Sequence, residues 1–281
     1  MSVVLIWAAN YPLTKFGLIA LDPFVFNSIR FIVAFLLLVV LLLMQSRSLK
    51  IDRADRLPLF RLGFILSVVY QCAFIIGINN TSAGNASVIL STSPLWTAFF
   101  SARMNKTRLL PQTWIGLVVS LMGIILIIIG SGKRFEISPT EIYGDILCLS
   151  AAILWGLSTT LQKPLLAHYS TVELSVMILG VGAVGLTLIA IPPALKTDWT
   201  TIPFSSVLAA VLSGLLSIGI ANVLWSYGVK NIGPSRTANF NNLVPIFAFL
   251  IAYGSLGEKV TELQVLGAAI TIIGVWIVRR R

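Results

Sequence analysis

Ile32-Val-Ala-Phe-Leu-Leu-Leu-Val-Val-Leu-Leu-Leu-Met44 contains no polar residue. A half-buried strand needs a polar residue at every second position, and a surface helix needs a polar stripe with period 3.6. This stretch offers neither. A membrane β-barrel also fails, because its strands alternate over segments of about ten residues; Ile124–Ile129 is equally continuous. A helix crossing a hydrocarbon core of about 30 Å needs roughly 20 mostly apolar residues. Read back to Phe24, the run reaches that length, so residues 24–45 predict a membrane span.

Outward from it lie nine further segments of this kind: 2–20, 58–79, 84–102, 111–130, 142–162, 172–194, 204–228, 236–256 and 262–279. The fold class is an all-α membrane protein with ten transmembrane helices. The whole composition agrees: of 281 residues, 57% are hydrophobic and 11% charged, where soluble domains carry roughly a quarter charged. Such a chain is too apolar for intrinsic disorder. Two cysteines, Cys72 and Cys148, are too few for a disulfide scaffold and fall within spans, where they read as small core residues. The longest connectors, Ser46–Leu57 and Ser131–Glu141, cannot hold a soluble domain.

The net charge of +10 would suggest nucleic acid if it formed one basic face. Placed on the spans, it does something else. With a cytoplasmic N-terminus, 14 Lys and Arg fall on the inner side, among them Arg47, Lys50, Arg53, Arg103, Lys163, Lys230 and Arg281. Four fall outside: Lys133, Arg134, Lys196 and Lys259. This is the positive-inside pattern, so both termini are expected in the cytoplasm and no nucleic-acid partner is expected. A cleavable signal peptide is not expected either, because there is no basic n-region and Lys15 interrupts the first apolar stretch. The expected location is a bacterial plasma membrane.

The chain also matches itself. Gly77, Asn80, Pro94, Gly116 and Gly123 align with Gly228, Asn231, Pro245, Gly267 and Gly274 at a constant offset of 151, and Gln71 aligns with Asn222. Trp7 and Lys15 align with Trp155 and Lys163 at 148. Two five-span repeats follow, 1–132 and 141–281. Five is odd, so the second copy enters from the opposite side. Inverted repeats of this kind point to transporters.

Several of the paired motifs resemble a known family. Trp7-Ala-Ala-Asn10 through Lys15, and Trp155-Gly-Leu-Ser158 through Lys163, are similar to the opening helix of each half in EamA-type members of the drug/metabolite transporter superfamily. Ser93-Pro94-Leu95 and Val244-Pro245-Ile246 resemble the proline of that family's fourth helix in each half. Gly254-Ser-Leu-Gly-Glu258, with Gly267 and Gly274, resembles its last turn and glycine-spaced final helix. Thr107 stands where Glu258 stands in the second half, a departure from the pattern. The resemblance implies ten helices, cytoplasmic termini, and efflux or exchange of small metabolites.

Polar groups at membrane depth face a cavity or a partner. Trp7, Asn10 and Thr14 share one face of the first span; Trp155, Ser158 and Gln162 do so on the sixth. Gln71 and Asn222 hold equivalent positions, Asn222 and Trp225 share a face, and the ninth span carries Asn239, Asn241 and Asn242. With aromatic walls from Tyr70, Trp96 and Trp225, these form the expected substrate-binding set. Pro94 and Pro245 are expected to free backbone carbonyls toward it. The competing reading is that the amides are glue between helices. Trp114, Trp199 and Trp276 suit interface anchors. Lys15 and Arg30 are basic groups within spans: facing the cavity they would favour an amino acid or organic anion, and otherwise they snorkel to the outer interface.

No acidic residue falls mid-span, so no buried carboxylate proton relay is expected, and His168 is expected near a cytoplasmic end. Gly180-Val-Gly182-Ala-Val-Gly185 fits a dinucleotide fingerprint but lies in an apolar span, where close helix packing explains it. Asn79-Asn-Thr81, Asn85-Ala-Ser87 and Asn105-Lys-Thr107 fit glycosylation acceptors, a pattern common by chance. There is no P-loop and no Cys/His cluster, so no cofactor and no metal are expected. The expected function is a secondary transporter, exporter or exchanger, for small polar metabolites. A flippase for a lipid-linked substrate and a membrane-embedded enzyme are the alternatives. The expected partners are a small-molecule solute and the lipid bilayer, with the chain a monomer or homodimer.

Overall fold

The computed structural model describes residues 1–45, 49–81, 86, 89–104, 110–130, 139–247, 250, 251 and 261–279, without the side chains of Tyr11, Pro12, Lys15, Pro139, Thr140, Glu141 and Arg279. Thr107, Glu258, Lys133, Arg134 and Lys259 therefore lie outside the described residues. Every regular element among those described is helical: α1 (Ser2–Gly17), α2 (Pro23–Met44), α3 (Arg56–Asn79), α4 (Ser93–Met104), α5 (Pro111–Gly130), α6 (Pro139–His168), α7 (Thr171–Lys196), α8 (Phe204–Ile232), α9 (Pro234–Asn239) and α10 (Glu262–Arg279). Six of these, α2, α3, α5, α6, α7 and α8, are long and apolar enough to cross a membrane.

Local chemistry sets the ends. Asp22 accepts hydrogen bonds from the Phe24 and Val25 N–H groups, with Pro23 in the first turn of α2. α7 opens on a capping box: Ser170 Oγ accepts from Glu173 N at 3.2 Å, and Glu173 accepts from Ser170 N at 2.8 Å. Two expected spans are interrupted within their apolar runs. α4 begins at Ser93 after a turn at Ser91 and Thr92, so Pro94 sits in a first turn, where a missing N–H is harmless. α9 stops at Asn239 and passes into a 3-10 turn, Phe240–Leu243, just before Pro245. Each proline follows a break in the helix. Neither kinks a continuous span.

By contact the chain forms two units. One comprises Ser2–Val69 and Gln162–Lys230 and is built on α2 and α7; the other comprises Met1, Tyr70–Leu161 and Asn231–Arg281 and is built on α5 and α10. Each draws on both halves of the sequence.

In the α2/α7 unit the Gly180–Gly185 motif is a packing device. A Cβ on Gly182 would lie 2.4 Å from Ser67 Cβ and 2.6 Å from Phe31 Cδ1, and one on Gly185 would lie 2.6 Å from Val68. Backbones can approach this closely only without side chains. At one end of the unit, polar contacts join the α2–α3 connector, the α6–α7 turn and the end of α8. Tyr169 donates its hydroxyl to Asp55 at 3.0 Å and accepts from Asp52 N at 3.2 Å; His168 Nδ1 lies 3.1 Å from Asp55. Lys230 Nζ donates to the Tyr169 carbonyl. The hydrogen bonds from His168 and then Tyr169 hold the Asp55 carboxyl below its ordinary range.

In the α5/α10 unit, glycines face glycines. A Cβ on Gly116 would be 2.7 Å from the Gly274 carbonyl, and one on Gly274 would be 2.6 Å from that of Gly116. Gly123 and Gly267 are related in the same way, each 2.6 Å from the other's carbonyl oxygen. As the number rises along α5 it falls along α10, so the two run antiparallel. Ser120 and Thr271 each bond back to the carbonyl four residues earlier, and Thr271 also donates to the Ser120 carbonyl at 3.4 Å. Cys148, buried on α6, packs against Gly77.

Candidate functional site

In the α2/α7 unit the first-span residues meet α8. The Trp7 and Trp225 rings lie 5.1 Å apart, tilted by 42°, a geometry aromatic pairs favour. Trp7 Nε1 donates to the Ser217 carbonyl at 3.2 Å. Ser217 belongs to a π-helical stretch, Gly214–Ile220, inside α8. A π turn takes carbonyls off the regular ladder and leaves them open to other donors, which is one reason such turns recur at functional sites. Asn222, half-buried, spends an amide N–H on the Ile218 carbonyl at 2.8 Å. Ser213 donates to Asn10 Oδ1 at 2.6 Å. Trp225 is only 3% exposed and so is not an interface anchor, whereas Trp114, Trp199 and Trp276 are 38–49% exposed.

Arg30 is buried on α2, its Nη1 donating to Asn27 Oδ1 at 2.8 Å and its guanidinium carbon 5.4 Å from the Phe26 ring centroid. The guanidinium thus bonds within its own helix face. Lys15 lies on α1, but its side chain is outside the described residues. Asn27 escaped the sequence reading. Its spacing of three from Arg30, which puts both on one helix face, was the available signal.

In the α5/α10 unit, Tyr70 on α3 lies 5.3 Å from Trp155 on α6 and 5.8 Å from Phe74. Gln71 is buried beside Tyr70 in sequence, and Ser158 is fully buried with its Oγ unpartnered among the described residues. Trp96, half-buried on α4, donates to Thr92 Oγ1 at 3.2 Å and packs its Cβ over Gly156. Asn239 donates to the Val275 carbonyl at 3.1 Å, which is helix glue, while its Oδ1 stays unpartnered among the described residues. Asn242 is buried in the 3-10 turn.

Thus Trp7, Asn10, Asn222 and Trp225 gather around α1 and α8 in one unit, with Arg30 on α2 of that unit. Tyr70, Gln71, Trp155 and Ser158 gather around α3 and α6 in the other. Asn239 and Asn242 belong to that second unit, on α9 and its following turn. A cavity of about 140 Å³ between α2 and α7, lined by Val25, Ser28, Thr187 and Trp199 among others, contains none of the expected substrate-binding residues. Two of its lining residues, Ser28 and Thr187, are joined by a hydrogen bond of 2.9 Å.

Known proteins give the arrangement its context. A family model described as the EamA-like transporter family matches residues 1–129 and 142–280. The chain is 29% identical to an uncharacterized transporter of Archaeoglobus fulgidus over 98% of this chain and 93% of that protein. It is 27% identical to a probable terminal-alkyne amino-acid exporter of Streptantibioticus cattleyicolor, over 99% and 91%. It is 25% identical to the uncharacterized inner membrane transporter YedA of Escherichia coli, over 99% and 88%. A solved crystal structure shares the fold at TM-score 0.84, covering 98% of this chain and 93% of its own, with 18% identity. The names are those of transporters rather than enzymes, and with six apolar helices they make this a multi-pass integral membrane protein. The chain belongs to the EamA-like transporter family.

Proposed function

We propose that the protein is a secondary transporter that exports or exchanges small polar metabolites, such as amino acids or organic anions, by alternating access. In this reading residues 1–132 and 141–281 are inverted five-helix repeats, the termini are cytoplasmic, and the polar and aromatic groups gathered within each unit are candidate solute contacts.

One observation carries the proposal: the opening tryptophan of each half packs against an aromatic residue of the other half's third expected span. Trp7 pairs with Trp225, and Trp155 pairs with Tyr70, which stacks on Phe74. Trp155 is the counterpart of Trp7 at offset 148, and Trp225 that of Phe74 at 151. The π-helical stretches, Ile65–Val69 and Gly214–Ile220, overlap under the same offset of 151. In the antiparallel pairing of α5 with α10, Thr271 meets its counterpart Ser120, and about that point Gly116 faces Gly274 and Gly123 faces Gly267, the crossed arrangement of counterparts expected of a two-fold axis, which supports inversion of the repeats. Duplicated wet groups in an apolar chain suit a solute path, because isolated structural amides have no reason to recur in register. A relative named as a probable terminal-alkyne amino-acid exporter favours that solute class.

The test is flux from proteoliposomes loaded with a panel of amino acids and organic acids. We expect saturable efflux of at least one solute, lowered by Trp225→Ala and Asn10→Ala. Absence of flux for every solute, with folding intact, overturns the proposal.

A further inference from the structure

A second buried polar group in the α2/α7 unit has a different chemistry. Asn27 is fully buried, at 0% exposure. Its Oδ1 faces Arg30 Nη1 at 2.8 Å. Arginine has only donors, so this contact fixes the amide and directs Nδ2 elsewhere. Nδ2 has no hydrogen-bond partner among the described residues. Thr14 Oγ1 on α1 is likewise buried and unpartnered among them. Thr14 lies between two contacts of α1: Gly17, against which the Phe26 ring packs, and Asn10, which bonds to Ser213. Ser213 precedes Gly214, whose Cβ would sit 2.7 Å from the Arg30 carbonyl. Asn27, Arg30 and Thr14 thus belong to one level where α1, α2 and α8 meet.

Packing does not require this chemistry. Gly63, 151 residues before Gly214, approaches α7 at Val181, 3.0 Å from its Cβ, and at Ile178, 3.4 Å from its Cα. An aliphatic residue serves that crossing, yet a guanidinium serves this one. Within a bilayer no bulk water satisfies a spare amide N–H, and an unmade hydrogen bond there is destabilising. A group that is cationic and rich in donors is complementary to an anion, and a planar guanidinium matches a carboxylate.

We infer that Asn27 Nδ2 and Arg30 form a subsite for the carboxylate of the transported solute, with Thr14 Oγ1 as an accessory donor. This rests on the transporter reading. Asn27 is enclosed in this conformation, so a carboxylate enters when α8 moves off α2 at Gly214, where the π-helical stretch begins.

The test uses the full chain in detergent with matched probes: leucine and lactate against leucinamide and lactamide, plus inorganic phosphate. We expect the carboxylates to raise the melting temperature on the order of 5 °C at saturation, and the amides not to. Asn27→Leu should weaken the apparent carboxylate affinity by about tenfold or more. Asn27→Asp, which places a fixed carboxylate beside Arg30, should abolish the response, and it keeps the test decisive should Asn27→Leu fail to fold. Equal responses to acids and amides, a response to phosphate alone, or an unchanged response in both variants overturns the subsite. Flux in proteoliposomes separates the two levels. Flux without carboxylate selectivity refutes the subsite only. Carboxylate stabilisation with no flux of any solute refutes the transporter reading.

Discussion

Gly123→Ala tests the α5/α10 pairing. The added Cβ would lie 2.4 Å from Thr271 Oγ1, 2.5 Å from Thr271 N and 2.6 Å from the Gly267 carbonyl oxygen. Ordinary contact begins near 3.4 Å, so α10 must retreat by about 0.9 Å from the Thr271 amide. Two of these neighbours are backbone atoms, which cannot rotate away. Overpacking of this kind is destabilising by about 1–3 kcal/mol. The Thr271 to Ser120 hydrogen bond, already 3.4 Å, adds up to about 1 kcal/mol when broken. The better helix propensity of alanine offsets about 0.5–1 kcal/mol. The net is about 2 kcal/mol, or roughly 4–8 °C in melting temperature for a chain of this size. Thermal unfolding in detergent reads it. Gly180→Ala is the comparator: its Cβ meets only the Phe35 ring edge at 3.1 Å, which can turn aside, so its shift should be under half as large. Gly267→Ala should match Gly123→Ala, and the double variant should lose less than the sum because one retreat relieves both clashes. Equal shifts for Gly123→Ala and Gly180→Ala would refute the reasoning.

Gly233 is different: nothing lies within 4 Å of its Cβ position, but its φ is +87°. Gly233→Ala should destabilise by about 1–3 kcal/mol through backbone strain alone, again by thermal unfolding, and Gly233→Asn by less. Trp7→Ala and Trp225→Ala should show a coupling of about 0.5–1.5 kcal/mol in a double-mutant cycle on stability; additive losses would mean the rings do not act as a pair. Asp55, with its carboxyl held low by His168 and Tyr169, stabilises the fold above the ordinary carboxylate range and loses that effect as pH falls through its lowered value. The melting-temperature gap between wild type and Asp55→Asn should therefore be present at pH 6 and close towards pH 3; a gap independent of pH would contradict the assignment.

Much of this was legible because the bilayer imposes simple rules. The unbroken run at Ile32–Met44 lies in α2, and 111–130 is the range of α5. The glycines at 116, 123, 267 and 274 announced a repeat, and their contacts explain their spacing. Other features were hidden. Apolar composition cannot show where a helix breaks, so the turn before Ser93 and the 3-10 turn at Phe240–Leu243 were read as span. A π-helical stretch has no sequence signature comparable to a cap, and Gly214–Ile220 went unseen although it supplies the carbonyl that holds Trp7. Of the helix 9 amides, Asn239 binds the Val275 carbonyl, and period alone could not distinguish such glue from a solute contact. Asn27 was overlooked because a single amide in an apolar helix is inconspicuous until its partner is seen.

The central claim is carrier-type transport, and trans-stimulation measures it most directly. Proteoliposomes preloaded with an unlabelled solute from the active part of the panel should take up the labelled solute faster than empty ones, with saturation and without measurable electrical conductance. Uptake that is indifferent to internal solute and does not saturate would contradict alternating access and the account built on it.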